Sequence, residues 1–291
     1  MSALGADEAA RSVDRSSNTF VGDLVVNFKR WTLKSIRNPF VLVVSLVQPI
    51  IFLVLFLEVF GTVAGTAVNQ GLPGVSYETF LVPAIVMQVA LASAVSSGVG
   101  LVNDMENGMF EKVLASPMNR TAVFLGKTAA EVFRIAVQVV VILVLGLLLG
   151  ANVETGVAGA AGIVGVGVLF SLWFLAFSNI LAVLTRDEES TIIGANLLQF
   201  PLLFLSSAFL PISALSGWIQ TFAKINPVTY GVDAARSLML GQDTMTVLDV
   251  TAFDGMLNGV VPGAGVLLGL DLLLGALAVY LLSQATSSDV A

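Results

Sequence analysis

The sequence predicts an all-α integral membrane protein with six transmembrane helices. Three observations carry this prediction. First, 56% of the 291 residues are hydrophobic and only 11% are charged, whereas globular domains carry about 25% charge. That leaves too little polar surface to coat a soluble protein of this size, and too much hydrophobicity for a disordered chain. Second, six apolar segments occur, each near the ~20 residues that cross ~30 Å of hydrocarbon at 1.5 Å per residue. Third, there is no His and no Cys. This excludes Ser-His-Asp triads, thiolate or imidazole metal sites and disulfides. The formal charge of −7 argues against nucleic acid as a partner, because such a surface is basic.

Residues 1–19 are polar and mixed in charge, and are expected to form a disordered cytoplasmic tail. Residues 20–38 read as an amphipathic interfacial helix. At 100° per residue, Phe20, Val21, Leu24, Val25, Phe28, Trp31 and Ile36 share one half. Asp23, Asn27, Lys29, Arg30, Lys34 and Arg37 share the other. A basic face opposite an apolar one that carries Trp suits the bilayer surface. The alternative is a buried helix of a small soluble domain.

The spanning region, 39–283, contains Phe40–Phe60, Phe80–Val102, Val132–Gly150, Val157–Leu184, Thr191–Leu210 and Val260–Leu282. Pro201 predicts a kink in the fifth. The connector 211–259 is too polar and broken to span. With the N-terminus inside, eleven of the thirteen Lys and Arg lie on the inner side, and only Lys224 and Arg236 lie outside. The positive-inside rule therefore places both termini, including the tail 284–291, in the cytoplasm. Three pairs, Gly61/Gly65, Gly146/Gly150 and Gly265/Gly269, have the spacing of close helix–helix contacts. Asp271, at the centre of the sixth segment, costs at least ~2.5–3.5 kcal/mol there as a charge. It is a functional candidate, with a structural hydrogen bond as the alternative.

Gly126-Lys127-Thr128 resembles the end of a phosphate-binding loop, but Thr121 stands where that loop needs Gly, and no strand precedes it. The chain thus carries no nucleotide site of its own, is not expected to be an enzyme, and binds no cofactor or metal. On a helix, 104–117 gathers Met105, Met109, Phe110, Val113 and Leu114 on one side, and Pro117 ends it. Such a helix either caps the bilayer or docks in a groove of a cytosolic partner.

This segment resembles the intracellular-loop motif of ABC-2-type transporter permeases, the membrane subunits of ABC exporters, through Glu106, Gly108, Glu111, Leu114 and Pro117. Met109 and Ser116 stand where the family usually has Thr. Arg37-Asn38-Pro39, Gln48-Pro49-Ile50, Phe204 to Ile212, and Asn226-Pro227-Val228-Thr229-Tyr230 with Arg236 are similar to three further family motifs, in the same order. The likeness extends from about residue 20 to the end, and the daunorubicin-resistance-type drug-exporter permeases are the most similar subgroup.

The resemblance implies a cytoplasmic coupling helix over 104–117, docked on a separate ABC ATPase that holds ATP and Mg. Met109, Phe110, Val113 and Leu114 would supply apolar contact. Glu106 and Glu111 would supply charge, unless they are merely solvated. It makes 20–38 the connecting helix, with Phe28, Arg30, Trp31, Lys34 and Arg37 near the ATPase, or else a mere membrane anchor. It makes 211–230 an extracellular re-entrant hairpin between spans five and six, with Pro211, Trp218, Asn226, Pro227 and Tyr230 at an outer gate, or else a helix on the outer interface. It implies a dimer with a second copy or a related permease chain, in the cell membrane of a prokaryote. The expected cargo is a hydrophobic drug-like compound or lipid. Polysaccharide export is the alternative within the family, and an ATP-independent secondary transporter the alternative outside it. An acidic exterior without Cys suits a high-salt organism.

Overall fold

The structure is a computed structural model that describes residues 19–37, 39–108, 118–248 and 251–288. The described residues form α1 (Phe20–Ile36), α2 (Pro39–Gly71), α3 (Tyr77–Glu106), α4 (Arg120–Leu148) and α5 (Gly156–Thr185). These are followed by α6 (Glu188–Phe204), a 3-10 turn (Ile212–Ala214), α7 (Gly217–Ala223), α8 (Pro227–Leu240) and α9 (Leu257–Ser288). No strand occurs among them. Within α2, α3, α4, α5 and α9 lie stretches long and apolar enough to cross a membrane.

Local chemistry sets the helix ends. Thr19, Ser76, Asn119, Asp187 and Asn226 cap N-termini through side-chain oxygens that accept backbone N–H bonds. Gly241 ends α8 at φ 66°, a left-handed conformation that glycine adopts without Cβ strain. Two expected boundaries move. The first span, expected over Phe40–Phe60, continues to Gly71. Gly61 and Gly65 do not stop it, because no proline or turn cluster arrives before Leu72-Pro73-Gly74.

The fifth segment, expected over Thr191–Leu210, is helical only to Phe204. Its 17 residues reach ~26 Å at 1.5 Å each, short of a full ~30 Å crossing. Pro201 lies one turn before the end, and a neighbouring side chain takes the last carbonyls, as described below.

Helix α3 is the axis of the bundle. It packs on α5 most extensively, then on α2, α4, α6 and α8. Gly98 permits a close approach to backbone: a Cβ there would lie 2.4 Å from the Ser178 carbonyl oxygen of α5. Of the glycine pairs expected to mediate close contacts, Gly146 does so, because a Cβ there would lie 2.4 Å from Val82 Cγ2. Gly61, Gly265 and Gly269 have no described atom within 4 Å of such a Cβ. The peripheral helices α2 and α9 leave large apolar residues exposed, among them Val43, Val47, Ile51 and Leu55 on α2 and Leu268, Leu272 and Leu273 on α9.

Candidate functional site

Two polar constructions stand at opposite ends of the bundle. The first lies where α1 meets the C-terminus of α3 and the N-terminus of α4. Helix α1 packs mainly on α4 and buries Asp23, Asn27 and Trp31. These residues, spaced four apart, form a single stripe. Phe20, Val21, Val25, Val26 and Ile36 face outward. The polar stripe thus faces protein and the apolar face is free, the arrangement of a helix at a lipid surface. Gly126 makes the contact close, since a Cβ there would meet the Leu24 carbonyl oxygen at 2.6 Å. Phe28 stacks edge-on against Phe133 of α4, with centroids 6.2 Å apart.

Helix α1 holds both flanks of the segment 109–117. On the near side, Arg30 Nη2 and Lys34 Nζ each donate to Asp104 at 3.1 Å. On the far side, the Asn119 backbone N–H donates to Asp23 Oδ2 at 2.8 Å. Glu106 ends α3 with its side chain exposed. Gly108 turns the chain at φ 61°, a left-handed conformation that favours glycine. Met109, Phe110, Glu111, Val113, Leu114 and Pro117 lie outside the described residues. Arg37 caps the C-terminus of α1 with its side chain exposed.

The phosphate-loop lookalike has a structural role. Lys127 is buried, and its Nζ donates to Ser97 O and Asn179 Oδ1, both at 2.9 Å. Three cations surround the Trp31 ring: Lys34 Nζ at 4.5 Å, Lys127 Nζ at 5.2 Å and Arg30 Cζ at 5.5 Å. The ring quadrupole attracts them. Deeper on α4, Arg134 pairs with Glu131 at 2.5 Å and donates to the Ser93 carbonyl at 2.8 Å.

The second construction is at the other end. Asn226 is a double cap. Its Oδ1 accepts from the Val228 N–H at 2.9 Å and starts α8. Its Nδ2 donates to Leu202 O at 2.6 Å and Leu205 O at 2.8 Å, closing α6. Pro227 follows at the first position of α8, where a missing N–H costs nothing. Tyr230 is buried, and its hydroxyl donates to the Lys224 carbonyl at 2.7 Å. Trp218 is 60% exposed on α7, edge-on to Phe222. Pro211 precedes the 3-10 turn. Of the five gate candidates, Asn226, Pro227 and Tyr230 therefore build the joint, whereas Trp218 presents a surface. The expected hairpin 211–230 is made of α7 and the start of α8, and α8 continues to Leu240, buried from Val228 to Met239.

Sequence reasoning missed the strongest polar feature of this end. Arg236 is 1% exposed and Asp233 0%, whereas the sequence places Arg236 among the charges of the outer side. Arg236 Nη1 donates to Asp233 Oδ1 at 3.2 Å. Its Nη2 donates to Ser207 O, Ala208 O and Phe80 O at 3.1–3.3 Å, and Cζ lies 3.6 Å from the Phe80 ring centroid. Asp233 also accepts from the Ser207 hydroxyl at 2.7 Å and the Thr246 N–H at 2.9 Å. Burial pushes the Asp233 carboxyl up, an effect countered by Arg236, Thr246 and Ser207. Burial pushes the Arg236 guanidinium down to about 10, which leaves it charged at neutral pH. The available signal was the i, i+3 spacing of opposite charges inside an otherwise small and apolar run. Phe209 completes this end, stacked on Phe56 at 4.3 Å and tilted against Phe204 at 5.3 Å.

Asp271 is half-buried on α9 beside Trp173 of α5. Neither of its oxygens has a hydrogen-bond partner among the described residues, nor has Trp173 Nε1. No cluster of metal-ligating side chains occurs among the described residues.

The family model described as "ABC-2 type transporter" matches residues 23–240. The daunorubicin resistance ABC transporter permease protein DrrB1 of Streptomyces coeruleorubidus is 28% identical over 207 residues, covering 70% of each chain. The putative transport permease ycf38 of Cyanophora paradoxa is 29% identical over 231 residues, covering 78% of each. The probable doxorubicin resistance ABC transporter permease protein DrrC of Mycobacterium tuberculosis is 24% identical over 226 residues, covering 78% of this chain and 80% of the relative. With three quarters of its length inside that model, crossed by helices built to span a bilayer, the chain belongs to the ABC-2 type transporter family.

Proposed function

We propose that this chain is the permease subunit of an ATP-driven exporter in the cell membrane, powered by a separate ABC ATPase that binds ATP and Mg and docks on 104–117. The observation that carries the reading is the double grip of α1 on both flanks of that segment, by Arg30 and Lys34 on Asp104 and by Asp23 on Asn119. A push on the segment is delivered to α1, α3 and α4 together. In this reading both termini are cytoplasmic, α6 with the turn 205–210 forms the fifth of six crossings, and α7 with the start of α8 sits at the outer mouth. The exposed apolar faces of α2 and α6 meet a second copy or a related permease. The cargo is a hydrophobic drug-like compound, a reading supported by the daunorubicin and doxorubicin resistance of the named relatives.

The test is copurification and vesicle transport. A tagged chain should bring down an ABC ATPase. Glu111→Lys should lose the ATPase while inserting normally in the membrane. ATP should drive a fluorescent anthracycline into inverted vesicles that hold both subunits. Transport that persists with an ATPase inactivated at its nucleotide site would overturn the reading in favour of a secondary transporter. ATP-dependent movement of a lipid-linked sugar instead would replace the cargo and keep the permease.

A further inference from the structure

Helix α2 carries a carboxyl inside its apolar outer surface. Glu58 is exposed, and the residues three and four positions away from it are Val54, Leu55, Gly61 and Thr62. None of these helical neighbours is a cation. Glu58 has no ion-pair partner among the described residues. Around the helix, at 100° per residue, it stands about 120–140° away from Leu53 and Ala64, which α2 buries against the bundle. It shares the opposite face with Val47, Ile51, Val54 and Leu55, all exposed.

Two markers give its depth. Large exposed apolar residues on α2 continue from Val43 to Val63, a length of about 30 Å, close to the thickness of the hydrocarbon. Glu58 lies about 22 Å from the first and about 8 Å from the second. Further along, a Cβ on Gly65 would lie 3.9 Å from Tyr77 Cβ. The start of α3 is therefore level with Gly65, about 10 Å beyond Glu58. The carboxyl sits within the span, in the half nearer the start of α3.

A charge turned to lipid at this depth is costly, and intramembrane carboxyls face a water-filled cavity or a cation instead. The chain itself has little to offer. The sequence places only Lys224 and Arg236 on this side of the membrane. Arg236 is spent on Asp233 and three carbonyls, and Lys224 caps the C-terminus of α7. The cation that fits this face comes from a ligand, and the rest of that ligand is apolar, to match the branched aliphatic side chains around the carboxyl. A hydrophobic amine has both parts.

We propose that Glu58 is a cargo-recognition site, whose carboxylate takes the ammonium of a hydrophobic amine on the path between the permease copies. The site rests on the exporter reading, which supplies the path, and it narrows the cargo to amine cations.

The test uses inverted vesicles that hold the chain with its ATPase, and the full chain without ATPase in nanodiscs. The probes are a fluorescent anthracycline with a free amine and the same compound N-acetylated, which keeps the rings and removes the charge. Wild type should bind the amine, and carry it with ATP, at least ~10-fold better than the acetylated form, the worth of one charge-assisted hydrogen bond. Glu58→Gln should bring the two compounds level at wild-type membrane yield, and Glu58→Asp should retain a preference. Equal handling of both compounds by wild type, or a preference that survives in Glu58→Gln, would overturn the proposal. Dissociation of the dimer by Glu58→Gln and Lys224→Gln alike, read by light scattering, would assign the carboxylate to an ion pair between copies and also overturn it. ATP-driven uptake of neither compound, with the binding preference in nanodiscs intact, would overturn the exporter reading and support the site.

Discussion

Arg236→Ala is the most severe single change that the structure points to. It removes the fork that joins Asp233, the carbonyls of Phe80, Ser207 and Ala208, and the Phe80 ring. It also leaves the Asp233 carboxylate fully buried without its counter-charge. Breaking a buried pair from one side costs about 3–5 kcal/mol, a large part of a total stability of about 5–15 kcal/mol. Asp233→Asn/Arg236→Ala should recover part of that loss, because the stranded charge is gone while the amide oxygen still accepts from the Thr246 N–H and the amide NH2 can donate to the Ser207 hydroxyl. Arg236→Lys should fall between wild type and Ala, since a point charge cannot reach three carbonyls at once. Equilibrium unfolding in mixed micelles, followed by circular dichroism for wild type, Asp233→Asn, Arg236→Ala and the double variant, gives the coupling energy. A coupling below about 0.5 kcal/mol would make the two residues independent and refute the argument.

Four further outcomes are expected. Gly126→Ala should push α1 off α4 at the Leu24 carbonyl; in vesicles it should lower transport per ATP hydrolysed more than it lowers membrane yield. Gly98→Ala should destabilise the bundle by about 1–3 kcal/mol through overpacking. Ser178→Gly should not rescue it, because the clash includes the backbone carbonyl; a thermal melt reads both. Asp187 is held below its ordinary value by the Ser190 hydroxyl and N–H. Its support of the start of α6 is therefore present above the ordinary carboxylate range and is lost as pH falls through the depressed value. Exchange at the Ser190 amide, corrected for its intrinsic pH dependence, should lose protection on acidification in wild type, but not in Asp187→Ala. Asp271→Leu should raise the melting temperature in nanodiscs, because it removes a carboxyl with no hydrogen-bond partner among the described residues.

The membrane class and five of the helices were legible because their apolar runs are long and dominate any local preference. The end of α6 was not legible. Phe204 to Leu210 is as apolar as a span, and the helix stops because of Asn226, more than twenty residues later in sequence. Hydropathy sees composition, whereas this terminus is set by a long-range hydrogen bond. Helix α1 was legible as amphipathic, yet its polar face carries two kinds of residue. Asp23 and Asn27 are turned into protein, whereas Lys29 and Lys34 stay exposed. Only the contact with Gly126 separates them. Arg236 is misread by sequence for a related reason. A tally of basic residues treats every Arg as solvated, whereas this one finds its solvation shell in three carbonyls, a carboxylate and a ring.

Asn226 also fixes what kind of motion the outer end can make. One amide terminates one helix and initiates the next, so the last turn of α6 and the first turn of α8 share a single joint without slack. Neither can unwind alone without stranding the other's backbone groups. Opening there must then be a rocking of one body, set by the leverage of the long helices rather than by a local melting step.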